Sequence, residues 1–381
     1  MSVVAVSAAD AAARLASFDA VIDARSPTEY AEDHLPGAQN WPVLDDDERH
    51  AVGFDYKQVS AFDARKRGAA MVARRIAEHI DAHLADKARD WQPLVYCWRG
   101  GQRSGTLAWF LGQIGFRVSV LQGGYKAFRA LVREQLATRP LAFDYTVVAG
   151  RTGSGKTRLL QALRHEGAQV LDLEALARHR GSVLGGLPRQ EPPRRAQGAL
   201  PASGGDPSHG DEPGGLYEPQ PTQRAFDTAV WHALQGFDPA RPVFVESESR
   251  KIGQLQVPEA LLDRMRRDSR VVMVTMPDAA RIELLLGEYG FFADQPERFC
   301  AHMDTLVELR GLTTVTRWKE HARAGRWAEV FGELMREHYD PLYLRSMERN
   351  FAGVGQAQEL ALRDGGADAL REAAAHLLAP R

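Results

Sequence analysis

The sequence has little cysteine, no long apolar run and almost no net charge, and each absence excludes a class of protein. Its 381 residues include only two cysteines, Cys97 and Cys300, which permit neither a disulfide framework nor a zinc motif. No apolar stretch approaches the roughly 18 residues that span a bilayer, and the N-terminus lacks the basic and apolar regions of a signal peptide. We therefore expect a cytoplasmic protein that does not enter a membrane and whose thiols stay reduced.

The charge balance also limits the partners. A formal net charge of −2 shows no overall basicity, so a nucleic-acid partner would require a local basic patch. Four short basic runs, at 65–67, 74–75, 178–180 and 264–270, are each more typical of a solvated helix face than of such a patch. The composition, 44% hydrophobic and 26% charged, is that of a globular protein. At about 100–200 residues per domain, the length predicts two domains.

One cysteine stands between an apolar run and a helix start. Residues 94–96 predict a buried strand and residues 105–112 a helix, with Cys97 between them. The unpaired N–H groups and the positive dipole end of that helix would stabilise a thiolate, or an anion carried on the sulfur. Arg99 and Arg103 add positive charge, and two glycines allow the loop to curl. Cys97 is therefore the candidate covalent carrier.

The region around this loop has the organisation of a small α/β domain. Short strands and helices alternate through residues 1–135, which predicts a mostly parallel sheet with ligands at the carboxyl ends of its strands. The motif Asp23-x-Arg25, the segment 29–38, the Cys97 loop and the glycine turn at 121–124 together resemble a rhodanese domain. This resemblance implies that Cys97 carries sulfur or selenium as a persulfide or perselenide, with Arg99 and Arg103 beside it.

Two alternatives for Cys97 remain open at this point. The run from Cys97 to Arg103 also fits Cys-x5-Arg, the phosphate cradle of cysteine phosphatases, in which the thiolate attacks phosphorus. Tyr96 stands where those phosphatases often carry histidine, and no acidic residue is an obvious leaving-group acid, so sulfur or selenium transfer is favoured. A buried structural cysteine is the other alternative.

A phosphate-binding motif opens the second half of the chain. The pattern G-x-x-x-x-G-K-T runs from Gly150 to Thr157, between a β-branched run at 143–149 and a helical pattern. The backbone of the glycine loop would cradle phosphates, Lys156 would pair with their charge and Thr157 would hold Mg²⁺. The candidate binding residues are Gly150, Gly153, Ser154, Gly155, Lys156 and Thr157. The motif does not distinguish ATP, GTP or another diphosphate.

Further strands follow the motif and predict a doubly wound P-loop domain over residues 136–345. One of them, at 242–250, ends in Glu246, the candidate for orienting magnesium or its water. Glu248 is as consistent with a surface charge as with the site. The polar and aromatic run 338–343 either faces a ligand or is a helix break caused by Pro341.

Two segments differ in character from this domain. Residues 185–217 are rich in glycine, proline and arginine, which predicts an insertion that is partly disordered. Residues 346–381 predict a C-terminal helical segment. The predicted fold class is thus α/β: a rhodanese-like domain, then a P-loop NTPase-like domain with C-terminal helices.

The order of the two domains adds a whole-chain resemblance. With the blocks at 172–182, 220–226 and 245–253, the chain resembles the tRNA 2-selenouridine synthase family over roughly residues 18–345. In that family a short loop joins the first two blocks, whereas here 185–217 intervenes. The resemblance implies a transferase acting on tRNA, with Trp98, Arg180 and Arg250 as candidates for RNA contact. Trp98 is equally consistent with a base-stacking residue and with loop packing.

The family's chemistry has two steps at the wobble uridine of the anticodon. The resemblance implies that geranyl diphosphate first alkylates the sulfur of 2-thiouridine, and that selenium from selenophosphate, carried on Cys97, then replaces the S-geranyl group. It implies a selenophosphate-supplying enzyme as partner and no permanent cofactor, with Mg²⁺ as an optional ion. The oligomeric state does not follow from the sequence.

Two other classes of function remain open. One is a P-loop kinase or NTPase with a rhodanese-like sulfurtransferase or phosphatase domain, in which nucleotide turnover would be independent of Cys97. The other is a non-catalytic docking module, which the intact Cys97 disfavours.

Overall fold

The computed structural model describes residues 3–182, 184–186 and 217–379. The chain divides into two compact units, Met1–Ala137 with Pro221–His232, and Thr138–Gln220 with Ala233–Arg381. Most of the segment predicted as an insertion, 185–217, lies outside the described residues. Within the described residues no helix is both long and apolar enough to cross a bilayer.

The first unit is built on a five-stranded parallel sheet, counted over the described residues, with strand order β1-β5-β4-β2-β3. Its strands are β1 (Val4–Val6), β2 (Ala20–Asp23), β3 (Ala38–Asn40), β4 (Pro93–Tyr96) and β5 (Ser119–Leu121). The helices along this part of the chain are α1 (Ala8–Ala13), α2 (Pro27–Glu32), α3 (Asp46–Gln58), α4 (Ala61–His83), α5 (Gln102–Ile114) and α6 (Gly124–Thr138). Leu15–Ser17 form a short 3₁₀ helix.

The position of β4 in the core of the first unit explains why its sequence is a continuous apolar run. All four residues of β4 are buried, as expected for a central strand covered on both faces. Ile22 of β2, Val95 of β4 and Leu107 of α5 belong to one hydrophobic cluster and are fully buried. This packing places the carboxyl end of β4 next to the start of α5.

The second unit contains another five-stranded parallel sheet in the described part of the chain, with strand order β12-β11-β6-β8-β7. Its strands are β6 (Tyr145–Gly150), β7 (Gln169–Leu171), β8 (Val243–Glu246), β11 (Arg270–Thr275) and β12 (Gln358–Ala361), and β9 (Lys251–Ile252) and β10 (Leu255–Gln256) form a separate hairpin. Because β6 lies between β8 and β11, the strand order reverses at β6. In α/β sheets ligands bind at the carboxyl ends of the strands beside such a reversal.

Helices surround this sheet and continue to the C-terminus. The helices are α7 (Lys156–His165), α8 (Leu173–Ala177), α9 (Gln223–Gln235), α10 (Glu259–Arg267), α11 (Asp278–Tyr289), α12 (Pro296–Asp304), α13 (Val307–Arg310), α14 (Leu312–Arg323), α15 (Trp327–Glu333), α16 (Asp340–Asn350) and α17 (Ala367–Leu378). Short 3₁₀ helices cover Arg139–Ala142, Gly290–Asp294 and Ala352–Gln356, and a π-helix covers Leu334–Tyr339. α9 is divided between the units, since the grouping changes after His232.

Two features of the C-terminal region differ from the sequence-based expectation. Residues 346–381 are not only helical, because β12 pairs in parallel with β11 at the edge of the second sheet. Pro341 does not break the chain's helical path: the π-helix leads directly into α16, with Pro341 in its first turn. The π-helical turn before Pro341 already departs from the regular α-helical hydrogen-bond pattern that a proline would interrupt.

Candidate functional site

The first candidate site is the loop that begins at Cys97. Cys97 follows β4 directly and is 3% exposed. The Ser104 hydroxyl, in the first turn of α5, donates a hydrogen bond to Cys97 Sγ at 3.1 Å. Within the described part of the chain, the backbone N–H groups of 98–101 have no protein acceptor. These groups form an anion-binding loop around the sulfur.

A glycine turn fixes the shape of this loop. The N–H of Tyr125 donates to the Cys97 carbonyl at 2.8 Å, and that of Lys126 to the Trp98 carbonyl at 3.0 Å. Gly124 has a φ of 58°, and a Cβ there would collide with the Cys97 carbonyl oxygen and the Gly100 nitrogen. Only glycine fits this close approach.

A buried ion pair accounts for the Asp23-x-Arg25 motif. Arg25 Nη2 lies 2.6 Å from Asp23 Oδ2, with both side chains fully buried. Burial opposes the Arg25 charge, but the bonds and charge of Asp23 outweigh it and raise the pKa of Arg25 above its ordinary value. The Arg25 guanidinium also stacks 3.9 Å from the ring centroid of Tyr125, the residue that holds the Cys97 carbonyl. The ion pair of this motif therefore packs against Tyr125, which holds the Cys97 loop in place.

The two arginines predicted beside Cys97 have different environments in the structure. Arg103 donates to Glu29 at 2.6 and 3.3 Å, and Arg99 is exposed. Burial of Glu29 disfavours its charge, but the bond and charge of Arg103 prevail and lower the pKa of Glu29. Trp98 is half-buried, with its ring 5.3 Å from that of Tyr125.

The second candidate site is the glycine loop between β6 and α7. It borders a cavity of about 740 Å³, within the range of small-molecule sites. The cavity is lined by the predicted residues Gly153, Ser154, Gly155, Lys156 and Thr157. Gly150 lies at the end of β6, where its N–H donates to the Tyr343 hydroxyl at 2.7 Å.

Lys156 folds back onto its own loop. Its ammonium donates to the Gly150 carbonyl at 2.6 Å and lies 5.3 Å from the ring centroid of Tyr343. Desolvation lowers the pKa of Lys156, while the nearby carboxylates of Glu174 and Glu248 oppose that shift. An anion placed in the loop would offer this ammonium a stronger acceptor than a carbonyl.

Three glutamates lie close to the loop. The Thr157 hydroxyl donates to Glu174 at 3.1 Å, and the Glu174 N–H donates to Glu246 at 2.7 Å. Burial raises the pKa of Glu246 and Glu248 well above the ordinary range, and the neighbouring carboxylates add to the effect. Glu248, only 8% exposed, lines the cavity and is therefore not a surface charge.

The oxygen donors suit a magnesium ion. One carboxylate oxygen of Glu246 is buried with no hydrogen-bond partner among the described residues. In the same part of the chain no group of three or more His, Cys, Asp and Glu side chains has the arrangement of a metal site. Mg²⁺ commonly uses one or two carboxylates plus substrate phosphates and water, so the donor set fits.

A buried arginine ties the glycine loop to α16. Arg281 is fully buried and donates to the Thr152 carbonyl at 2.9 and 2.7 Å and to Asp340 at 2.6 and 3.0 Å. Since Tyr343 also receives the Gly150 N–H, α16 contacts the loop at two points.

Part of the cavity wall is apolar. Its apolar and aromatic side chains include Leu284, Tyr289, Leu342, Met347 and Phe351. Of the two arginines predicted for RNA contact in this unit, Arg180 lines the cavity, with its guanidinium 5.2 Å from the Tyr289 centroid. Arg250 is exposed.

Several site residues were missed from the sequence. Ser104 follows Arg103 directly, so its place in the first turn of α5 was the available signal. Tyr343 and His338 lie in the polar and aromatic run 338–343, and both line the cavity. The sequence does not show that Arg281 contacts the glycine loop, because Thr152 and Asp340 are 129 and 59 residues away and only Asp278 is a local partner.

Two family models match this chain. A family model described as the tRNA 2-selenouridine synthase AAA domain matches residues 143–197 and 208–314, and a rhodanese-like domain model matches residues 7–131. Residues 198–207, inside the predicted insertion, are left unmatched.

Similar proteins extend over most of the chain. The tRNA 2-selenouridine synthase of Sulfurovum sp. (strain NBC37-1) is 31% identical over 374 residues, covering 89% of this chain and 93% of the relative. That of Chromohalobacter salexigens is 32% identical over 363 residues, covering 87% and 88%. Among solved structures, a rhodanese-related protein from Thermoplasma volcanium is 18% identical, with a TM-score of 0.23, covering 34% of this chain and 92% of that one.

Proposed function

The chain belongs to the tRNA 2-selenouridine synthase family, and from this premise we propose that it converts 2-thiouridine at the wobble position of tRNA to 2-selenouridine. The proposed enzyme is a transferase with two activities. It geranylates the sulfur with geranyl diphosphate and then replaces the S-geranyl group with selenium from selenophosphate at the Cys97 loop.

The observation that carries this proposal is the cavity beside the glycine loop. Its lining combines the backbone and Lys156 of a diphosphate cradle with apolar side chains, among them Leu284, Leu342 and Met347. A prenyl diphosphate has the same two parts, an anionic group and an apolar chain. This match supports geranyl diphosphate as the ligand of the cavity.

The residues of the cavity would carry out the first step by binding and charge stabilisation. The loop N–H groups and Lys156 would hold the diphosphate as its bond to the geranyl carbon breaks and the uridine sulfur attacks that carbon. Lys156 would exchange its present bond to the Gly150 carbonyl for one to the leaving oxygen. Thr157 and Glu246 would hold Mg²⁺, which supplies further positive charge to the diphosphate.

Cys97 would carry the second step. Its loop N–H groups and Ser104 would stabilise the Cys97 thiolate and the anionic selenium donor beside it. S-alkylation makes the uridine sulfur a better leaving group. The selenium of selenophosphate, already at the selenide level, would attack C2 and expel the geranyl thiolate, and water would then remove the phosphoryl group as phosphate. A selenophosphate-supplying enzyme would be the partner. Arg99 is exposed beside Cys97 and Trp98 is half-buried, so both are candidates for contact with tRNA, together with Arg180 and Arg250.

Two substitutions separate the half-reactions. Nucleoside mass spectrometry of tRNA from cells expressing Cys97→Ala should show no 2-selenouridine and persistent S-geranyl-2-thiouridine. Cells expressing Lys156→Ala should lack both nucleosides, because the uridine sulfur is never alkylated.

Cys300→Ala is the matched control, since Cys300 is a buried cysteine outside both sites. It should leave both nucleosides at wild-type levels. Normal 2-selenouridine in the Cys97→Ala cells would contradict the proposal. ATP turnover that is indifferent to tRNA and to Cys97→Ala would instead favour a P-loop NTPase.

A further inference from the structure

A buried histidine faces the cavity of the second unit. His338 lies in the π-helix Leu334–Tyr339, is 3% exposed, and lines the same cavity as the glycine loop. π-helical turns distort the ordinary hydrogen-bond ladder and occur frequently at functional sites. Neither the glycine-loop motif nor the Cys97 loop accounts for this side chain.

Arg310 fixes the protonation of the His338 ring. Its Nε donates to His338 Nδ1 at 3.0 Å, and its Nη2 donates to the His338 carbonyl at 3.2 Å. Arginine has no acceptor atom, so Nδ1 must accept this bond. In a neutral imidazole the other nitrogen then carries the proton, which makes Nε2 a donor.

The charge state of the ring agrees with this assignment. Burial is the larger cause and the positive charge of Arg310 the smaller one, and together they lower the pKa of His338 to about 4. The ring is therefore neutral at physiological pH, with its donor fixed at Nε2. Nε2 has no hydrogen-bond partner among the described residues, although the side chain is buried. Because His338 lines the cavity, a ligand bound there can accept a hydrogen bond from this nitrogen.

The backbone that carries His338 is held against the glycine loop. Asp340, two residues further on, bonds to Arg281, which donates to the Thr152 carbonyl. Tyr343 receives the N–H of Gly150. These contacts hold the His338 segment in place relative to the loop.

We propose that His338 is a substrate-binding residue of this cavity and that its Nε2–H donates to a diphosphate oxygen of the ligand. This proposal rests on the proposed function, in which a diphosphate binds in the cavity. A prenyl chain carries no acceptor atom, so the acceptors for this donor lie on the diphosphate. A neutral donor adds a hydrogen bond without adding a further positive charge to those of Lys156 and Arg281.

Isothermal titration calorimetry with the full chain tests the contact. Geranyl diphosphate, inorganic diphosphate and ADP are titrated into the wild type, His338→Phe and His338→Gln. Loss of the bond in His338→Phe should weaken binding of geranyl diphosphate and inorganic diphosphate about tenfold, as for one hydrogen bond to a charged group. His338→Gln, which keeps an N–H donor, should recover part of that loss. His165→Phe, an exposed histidine of α7, is the matched control and should bind like the wild type.

The ADP titration distinguishes a nucleoside diphosphate from a prenyl diphosphate as the source of the group. ADP binding that is tighter than geranyl diphosphate binding, but equally sensitive to His338→Phe, would keep the contact and overturn the prenyl substrate. Geranyl diphosphate binding to His338→Phe within twofold of the wild type, in a variant whose circular dichroism shows it folded, would overturn the contact alone. A wild type that binds neither diphosphate would overturn both.

A spectroscopic readout separates ligand binding from a structural role. In ¹⁵N-histidine-labelled protein, the His338 ring should show the Nε2–H tautomer, with Nε2 shifting when inorganic diphosphate is added. Arg310→Gln should remove the fixed tautomer and raise the pKa of His338, since Arg310 is one cause of its depression. A ring protonated at Nδ1, or an Nε2 resonance indifferent to diphosphate, would contradict the assignment.

Discussion

At the scale of single residues, both sites depend on buried polar groups that have few partners. Cys97 receives the Ser104 hydroxyl, and the loop N–H groups beside it have no protein acceptor among the described residues. In the second unit, burial raises the pKa of both Glu246 and Glu248, and the carboxylate of Glu174 adds to both shifts. Buried polar groups with few partners lower the free energy of unfolding of the ligand-free protein. A ligand that forms hydrogen bonds or ion pairs with these groups raises it again.

Glu248 gives the second unit a pH-dependent stability. Because its pKa is raised in the folded state, the folded protein keeps a proton that the unfolded chain releases above about pH 4.3. The free energy of unfolding therefore falls as the pH rises from that value toward the folded pKa. Glu248→Gln should flatten this slope and raise the free energy of unfolding at pH 8 by about 1 kcal/mol.

Urea unfolding of the ligand-free protein between pH 5 and pH 8 measures the effect. Glu283→Gln, an exposed glutamate of α11, should retain the wild-type slope. A slope unchanged by Glu248→Gln would show that this carboxyl ionises normally in the folded protein.

At the scale of elements, each site is a loop between a strand and a helix whose shape is set by a third segment. The Cys97 loop is held by the turn before α6, and the glycine loop of β6 and α7 by Arg281 of α11 and by α16. The Arg281–Asp340 pair is fully buried on the arginine side and belongs to a small network, because Arg281 also pairs with Asp278 and Asp340 with Arg151.

Gly124 is the test of this arrangement in the first unit. Gly124→Ala places a Cβ against the Cys97 carbonyl oxygen and the Gly100 nitrogen at a positive φ. We expect a loss of about 3 kcal/mol in the free energy of unfolding, from backbone strain and the forced opening of the loop. Chemical denaturation followed by tryptophan fluorescence measures this loss.

Gly101→Ala is the matched control in the same loop. No atom lies within 4 Å of the Cβ that this substitution adds, and the φ of Gly101 is −97°. Its unfolding free energy should stay within about 0.5 kcal/mol of the wild type, as for a surface substitution. Equal stability of the two variants would show that the turn does not constrain the loop.

At the scale of the whole molecule, the division into units does not follow chain order. Residues 221–232 come after the glycine loop in sequence but group with the first unit. There, the Thr228 hydroxyl donates to the buried Asp33 at 3.0 Å, and the Trp231 ring lies 5.3 Å from that of Phe128. The family's Gln-Pro-x-Gln block therefore leads into a segment that completes the first unit.

Two neighbouring substitutions on α9 test this division. Trp231→Ala should lower the amide protection of the first unit by about 3 kcal/mol, the usual cost of removing a buried tryptophan. Leu234→Ala, also fully buried but grouped with the second unit, should lower protection there instead. Hydrogen exchange followed by mass spectrometry gives both values. Identical exchange patterns in the two variants would contradict the division.

The sequence alone determined the fold class, the family, the Cys97 loop and the glycine loop. Each of these features can be predicted from the local spacing of residues, because a strand, a turn and a helix N-terminus are encoded by consecutive residues. The tertiary structure decided what surrounds them: the place of residues 221–232, the strand β12, the burial of Glu248, and the contacts of Arg281 and His338. These features depend on residues that are far apart in sequence, as Arg281 and Thr152 are. A local sequence pattern does not indicate which distant residue a side chain will contact.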